Sequence, residues 1–373
     1  MILFLSAWFP SRLDSTEGLF VRKHAQALAL RCEVEVLYVV GDTNIADYEV
    51  TDEEVGGVRE ITIYYPYRKG SCWCKVVKQW KYLKGYIIGV RRVARPKHIV
   101  ANVMVRTAVV AWFLSRFKWH CNYSIIEHSS RFLTGESGKG SRIRETIARF
   151  VARKAQHLLC VSQYLLDSMR NQGVVCDDMR VVGNIVDDSF YSDSGSNRSS
   201  DERHRLIHIT SFQPVKRDKE LLLSIAQLAE RRDDFHLLMI GGGPLCEECR
   251  TMVAEDERLR RVVDFAGVLT PSEVALALHQ SDIYIHSSIV ETDCIAVSEA
   301  LASGLPVVTT EAGAVQYKIT AETGRVVKNI GELVEATDWM LDHYHEYDAE
   351  KIRTSALKYR CETIGKELYE TLT

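Results

Sequence analysis

Two runs of alternating strand-like and helix-like segments, one in each half of the chain, constrain this sequence more than any other feature. The first begins with the apolar run Ile2 to Leu5, passes a loop through Pro10, Asp14 and Gly18, and continues with helical spacing from Phe20 to Leu30. A second apolar run, Val34 to Val40, follows at once. Strand, loop, helix and strand in that order specify a parallel sheet crossed by helices. Further strand-like runs lie at Val58–Tyr64, His98–Ala101, Tyr123–Ile126, Leu158–Val161 and Met179–Val182. The pattern then restarts at Leu206–Ile209, Phe235–Ile240, Val262–Phe265, Ile283–His286 and Val307–Thr309. Between the two runs, Ser192 to Arg203 is rich in Ser, Asp and Asn and reads as a solvated linker. The expectation is an α/β protein of two doubly wound domains, with ligand at the carboxyl ends of the strands.

A length of 373 residues fits two domains, each large enough for its own core. The net charge of -3 conceals an asymmetry. Residues 1–200 carry 28 Lys+Arg against 20 Asp+Glu, and residues 201–373 carry 19 against 30. No nucleic-acid recognition pattern accompanies the basic half, so no nucleic-acid partner is expected. The start, Met1 to Leu5, lacks a basic n-region, and Ile99 to Leu114 is too short and too interrupted to span a bilayer. The ten cysteines therefore read as reduced thiols of a cytoplasmic protein. Cys246-x-x-Cys249 and Cys72-x-Cys74 could share a zinc ion, although such pairs are more often incidental.

The stretch richest in chemistry runs from Ser287 to Val308. A strand end and loop lead into helical spacing over Ala296 to Ser303, with Gly304 as C-cap and Pro306 entering the next strand. Glu291 precedes the helix and Glu299 lies within it. Backbone N–H groups near Cys294, Ile295 and Ala296 would face an anion at the helix N-terminus. Two glutamates eight residues apart are common, so the spacing alone carries little weight.

The surrounding residues resemble the E-x7-E motif of the retaining family 4 glycosyltransferases of the GT-B fold. Further stretches in the same order resemble that family. They are Trp8-Phe9-Pro10 through Gly18, Val161-Ser162, Gly183-Asn184-Ile185-Val186-Asp187, Leu238 to Pro244, Val263 to Val268, and Asp282-Ile283-Tyr284-Ile285. The resemblance implies two Rossmann-like domains facing a central cleft. Residues 1–187 would form the acceptor-side domain and 188–350 the donor-binding domain, with a helix in 351–373 crossing back to the first.

It also implies roles. Glu299 would bind the ribose hydroxyls and Glu291 would sit beside the donor sugar. Lys216, with Arg217 beside it, would neutralise the leaving diphosphate. Gly18 and Gly241 would allow close backbone approach, Val268 would read the base, and His128 would contact the sugar. The implied reaction moves a sugar from a UDP- or GDP-sugar, with retention, to a hydroxyl of a glycan or polyprenyl-linked acceptor. No Asp-x-Asp pair is present, so no metal or other cofactor is expected. Asp293 and Cys294 depart from the family's Phe-Gly, Gln213 occupies a possible arginine position, and Gln316 replaces a frequent glutamate. Asp293 would add negative charge near the diphosphate. These departures leave open a non-catalytic GT-B homologue; a GT-B epimerase or phosphorylase is a further alternative. A nicotinamide dehydrogenase is disfavoured, because Gly241-Gly242-Gly243 is followed by Cys246 where a third glycine is needed.

From Lys75 to Lys97 there are eight basic residues and no acid. Val76, Trp80, Leu83, Ile87 and Val90 share one helical face. Two readings follow: the apolar face packs on the domain and a basic face meets water, or the segment, with Trp73, Tyr64, Tyr65 and Tyr67, rests on an anionic membrane surface.

Overall fold

The computed structural model describes residues 1–67, 72–133, 142–192 and 203–373, with the side chains of 72–75 excluded. Most of the linker reading, Trp73 and the Cys72-x-Cys74 pair therefore lie outside the described residues. The chain divides into unit 1, residues 1–185 with 361–373, and unit 2, residues 186–360.

Unit 1 holds strands β1 (Ile2–Ser6), β2 (Val34–Asp42), β3 (Glu49–Val55), β4 (Val58–Pro66), β5 (His98–Asn102), β6 (Asn122–Glu127), β7 (Leu158–Cys160) and β8 (Met179–Val181). Their order is β3-β4-β2-β1-β5-β6-β7-β8. All neighbours are parallel except β3 and β4, which pair antiparallel around Gly56-Gly57. Every residue of β1 and β5 is buried, which is why these strands read as unbroken apolar runs. The unit's helices are α1 (Leu19–Ala29), α2 (Cys72–Val90), α3 (Met104–Leu114), α4 (Arg142–Lys154) and α5 (Gln163–Asn171).

Unit 2 contains β9 (His204–Thr210), β10 (Phe235–Gly241), β11 (Val263–Gly267), β12 (Ile283–His286), β13 (Val307–Thr310) and β14 (Gly324–Val327). They form one parallel sheet in the order β11-β10-β9-β12-β13-β14. Its helices are α6 (Asp218–Leu228), α7 (Cys246–Glu255), α8 (Glu257–Val262), α9 (Pro271–His279), α10 (Ile295–Ala302), α11 (Leu333–His343) and α12 (Ala349–Ser355). Helix α9 starts with a full capping box between Thr270 and Glu273, with Pro271 in its first turn. Last comes α13 (Cys361–Leu372), which returns to unit 1. Its Ile364, Leu368 and Leu372 join Val21, Ala25 and Leu28 of α1 in one core. At Gly365 a Cβ would stand 2.4 Å from the Ala27 carbonyl oxygen, so only glycine allows the two helices to approach this closely.

Helix α2 leaves most of the stripe that its periodicity singled out exposed, and buries only its last member, Val90. Val76, Trp80, Leu83 and Ile87 are exposed, Trp80 by 68%. The helix packs through Tyr82, Tyr86, Gly85 and Gly89 instead. A Cβ at Gly85 would stand 2.6 Å from Val39 and one at Gly89 2.4 Å from Leu37, so the glycines seat α2 directly on β2. The reading in which the apolar face packs on the domain is therefore corrected: small residues bring the opposite face to the sheet, and the larger apolar side chains turn outward.

Candidate functional site

The polar groups of unit 2 converge at the carboxyl ends of β9 and β12. Strand β12 ends at His286, and Ser287 to Asp293 form the loop that enters α10. Across from it, the loop after β9 carries Lys216 and Arg217. Lys216 Nζ donates to Glu291 Oε1 at 2.5 Å. The same oxygen accepts from Ser288 Oγ at 2.7 Å and lies 3.4 Å from His286 Nε2. Burial alone would push the Glu291 carboxyl up, but His286 and Lys216 outweigh it and hold the group down to about 2. Lys216 loses solvation yet keeps its proton more firmly than usual, because Glu291 is beside it. The result is a half-buried, fixed ion pair at the end of a parallel strand.

Arg217 is bound into the frame. It has φ 55°, and its Nε and Nη2 donate to the carbonyls of Ser287 and Ser288 at 2.8 and 3.1 Å. Those bonds tie the β9 loop to the loop that carries Glu291.

The helix start is built on a second ion pair. Cys294 is the N-cap of α10, in the left-handed region at φ 60°. Ile295 and Ala296 open the helix, where N–H groups lack intrahelical partners. Asp293 is buried, and its Oδ1 meets Lys318 Nζ at 2.6 Å. Lys318 also donates to Ser298 Oγ at 2.7 Å and to the Cys294 carbonyl at 3.4 Å. Desolvation pulls the Lys318 ammonium down, but Asp293 more than offsets it and the group holds its proton. The charge expected from Asp293 is therefore cancelled locally, a correction to the sequence reading. Glu299 lies one turn further along α10, half-buried.

At the far edge of this sheet end, Gly241 has φ 130°, and a Cβ there would stand 1.8 Å from the Thr210 carbonyl oxygen. Only glycine lets β10 end against the β9 loop. Val268, after β11, is 76% exposed. Cys246 and Cys249 lie in the first turn of α7, with Cys249 fully buried in the core of the unit.

Unit 1 has its own polar cluster at the carboxyl ends of β5 and β6. His128 is buried against Phe20, ring centroids 4.4 Å apart, with His24 at 5.6 Å. Neither ring nitrogen of His128 meets a partner within hydrogen-bond geometry, and burial, reinforced by His24, holds the imidazole well below its usual range and so neutral. Gly18 caps α1 at φ 70°, and a Cβ there would stand 2.2 Å from the Trp8 carbonyl oxygen. Beside His128, Glu127 is fully buried. It accepts from the N–H groups of His128, Ser129 and Met104 at 2.7 to 2.9 Å, while burial still pushes its carboxyl up. Asn102, fully buried, has neither side-chain polar atom hydrogen-bonded.

The structure thus gathers Lys216, Arg217, Glu291, Cys294, Ile295 and Ala296 at one end of unit 2, and Gly18 and His128 at one end of unit 1. Sequence reasoning missed His286, Ser288, Lys318 and Glu127. His286 was legible as a histidine closing a buried strand. Lys318 carried no local signal, because its partner lies 25 residues away.

Comparison with known proteins decides the family. Residues 191–356 match the model of glycosyl transferases group 1, and residues 18–184 match a glycosyl transferase 4-like domain. The chain belongs to the GT-B glycosyltransferases of group 1. Among curated relatives, N-acetyl-alpha-D-glucosaminyl L-malate synthase of Bacillus anthracis is 25% identical over 61% of the chain and 61% of that protein. Alpha-monoglucosyldiacylglycerol synthase of Streptococcus pneumoniae is 23% identical over 46% of the chain and 42% of that protein. The matched part therefore spans less than two thirds of either relative. Sucrose-phosphate synthase from Thermosynechococcus elongatus shares the fold with TM-score 0.75 and 17% identity, over 99% of the chain and 98% of that structure. HepE of Anabaena, in complex with UDP and glucose, gives 0.73 at 17% identity, with the same coverage.

Proposed function

We propose that this glycosyltransferase moves a sugar from a nucleotide-diphosphate donor to a hydroxyl of a glycan or lipid-linked glycan, with retention of anomeric configuration. The observation that carries this reading is the Lys216–Glu291 pair before the N-terminus of α10. As the glycosidic bond breaks, negative charge builds on the departing phosphate oxygen. A fixed ammonium and the free N–H groups of Ile295 and Ala296 would stabilise that charge without reorganising. Glu291, ionised and partly enclosed, suits a position beside a developing oxocarbenium ion. Glu299 would hold the ribose, and His128, kept neutral, would hydrogen-bond the sugar. The leaving phosphate would take the acceptor hydroxyl's proton.

The donor reading is supported by HepE, whose structure holds UDP. Lys216 and the α10 N-terminus supply the cationic character that a divalent ion would otherwise bring, so transfer is expected to proceed without metal. The exposed row Val76, Trp80, Leu83 and Ile87 on α2, flanked by lysines, favours an anionic lipid surface as a partner. No helix among the described residues is long and apolar enough to cross a membrane. The pairing of Asp293 with Lys318 weakens the non-catalytic reading, since the added charge is compensated.

The test is incubation with a panel of UDP- and GDP-sugars and a lipid-linked acceptor in the presence of EDTA. The expected product is a glycoside with the donor's anomeric configuration, read by NMR coupling constants. An inverted product, or activity that disappears on chelation, would refute the mechanism.

A further inference from the structure

The departure from the family pattern at Cys294 places a thiol where two other metal-ligating groups already meet. His286 Nε2 lies 3.5 Å from Cys294 Sγ and 3.4 Å from Glu291 Oε1. The ligand atoms of all three residues fall within 4.8 Å of one another. Zinc in a tetrahedral site bonds nitrogen and oxygen at about 2.0 Å and sulfur at about 2.3 Å, which separates N from O by about 3.3 Å and N from S by about 3.5 Å. The two spacings around His286 match those values without any movement. The remaining spacing, Glu291 to Cys294, is no more than 4.8 Å and closes to about 3.5 Å around the ion.

The imidazole is also oriented for a metal. His286 Nδ1 lies 2.9 Å from Thr309 Oγ1, and that hydroxyl donates its own hydrogen to the Thr310 carbonyl at 3.0 Å. Zinc binding selects the tautomer in which Nδ1–H donates to Thr309 Oγ1 and Nε2 is unprotonated, whereas in the metal-free site Nε2–H donates towards Glu291. A ligating histidine commonly has this support: its second nitrogen is held by an oxygen that fixes tautomer and ring plane. Three protein ligands with a fourth position open is the arrangement of zinc sites that bind a further group.

We propose that His286, Glu291 and Cys294 form a zinc-binding site whose occupation competes with Lys216 for Glu291. Zinc takes Glu291 Oε1 from the Lys216 ammonium, and Cys294 releases its thiol proton to solvent on coordination. The bound ion then occupies the position that the Lys216–Glu291 pair holds when the site is free, so zinc inhibits rather than supports transfer. Inhibition rests on the donor-site reading above; zinc binding does not.

The experiment titrates Zn2+ into the full-length chain against a chromophoric zinc chelator in metal-free buffer. One zinc per chain is expected. C294S and H286N should each weaken binding by about tenfold or more, as loss of a ligand does. K216M should strengthen it by a similar factor, because the competing cation is gone. The C246S/C249S variant should bind as the parent does. Thermal unfolding of each variant checks its fold, and the gain expected for K216M cannot come from misfolding. With cobalt(II) as the probe, a thiolate charge-transfer band should appear and be absent in C294S. Failure of the parent chain to compete with the chelator, unchanged binding in the H286N/C294S double variant, or loss of binding in C246S/C249S would each overturn the site. If zinc binds as expected but leaves transfer unaffected, the donor-site reading fails and the metal site stands.

Discussion

The carboxyl ends of the two sheets solve the same problem, polar groups in a buried setting, in opposite ways. In unit 2 the groups are kept charged and paired: Lys216 with Glu291, Lys318 with Asp293. In unit 1 His128 is kept neutral by burial, and Glu127 is satisfied by backbone N–H groups. Charge that is held fixed suits stabilisation of a departing diphosphate. The neutral imidazole of His128 suits an uncharged sugar. The excess positive charge of the first half lies elsewhere, much of it along and just beyond α2.

The largest expected effect in the comparison comes from breaking the charged pairing. Asp293→Leu or Lys318→Met alone leaves one buried charge uncompensated and should cost about 3–5 kcal/mol of stability, whereas the double variant should recover most of it. Chemical denaturation of the four proteins in a double-mutant cycle measures this; additive losses would show that the pair is not coupled.

At the opposite, amino end of the unit 1 sheet a histidine is again held neutral by burial, and pH reads it out. His98 on β5 is 4% exposed and bonded to Ser124 Oγ at 2.9 Å; burial first, then His157, depress it to about 4 from an ordinary 6.5. A base held neutral in the fold contributes its full stability above the unfolded value. That stability is lost as pH falls from 6.5 towards 4, by about 3 kcal/mol at most. His98→Phe should flatten the slope in that window, leaving a residue from the other buried histidines. An unchanged slope would mean that His98 is protonated in the fold.

The smallest effect concerns α2. Trp80→Glu and Ile87→Glu should each weaken flotation with anionic vesicles at low salt by about tenfold, the worth of one buried apolar side chain. Equal flotation of parent and variants would remove α2 from any lipid contact.

Most strands and the placing of Glu291 on a loop before a helix were legible because parallel strands are continuous apolar runs and helices show a 3.6 period. Strand β3 was not, since Glu49-Val50-Thr51-Asp52-Glu53-Glu54-Val55 lies exposed at a sheet edge and gives no apolar signal. Strand β14 is only four residues long, with Arg325 and Val326 exposed between buried ends. For α2 the period was right and the buried face wrong: packing there is decided by Gly85 and Gly89, whose contribution is the absence of a side chain. Lys318 was missed because a compensating charge need only be near in space.

The fixed Lys216–Glu291 pair is proposed to drive departure of the nucleotide. It is tested most directly by the rate of nucleotide release from sugar nucleotides with acceptor present, comparing the parent chain with Lys216→Ala and Glu291→Ala. A fall of about a hundredfold or more is expected in each variant, with folding retained by circular dichroism. Release at the parental rate from both folded variants would contradict it.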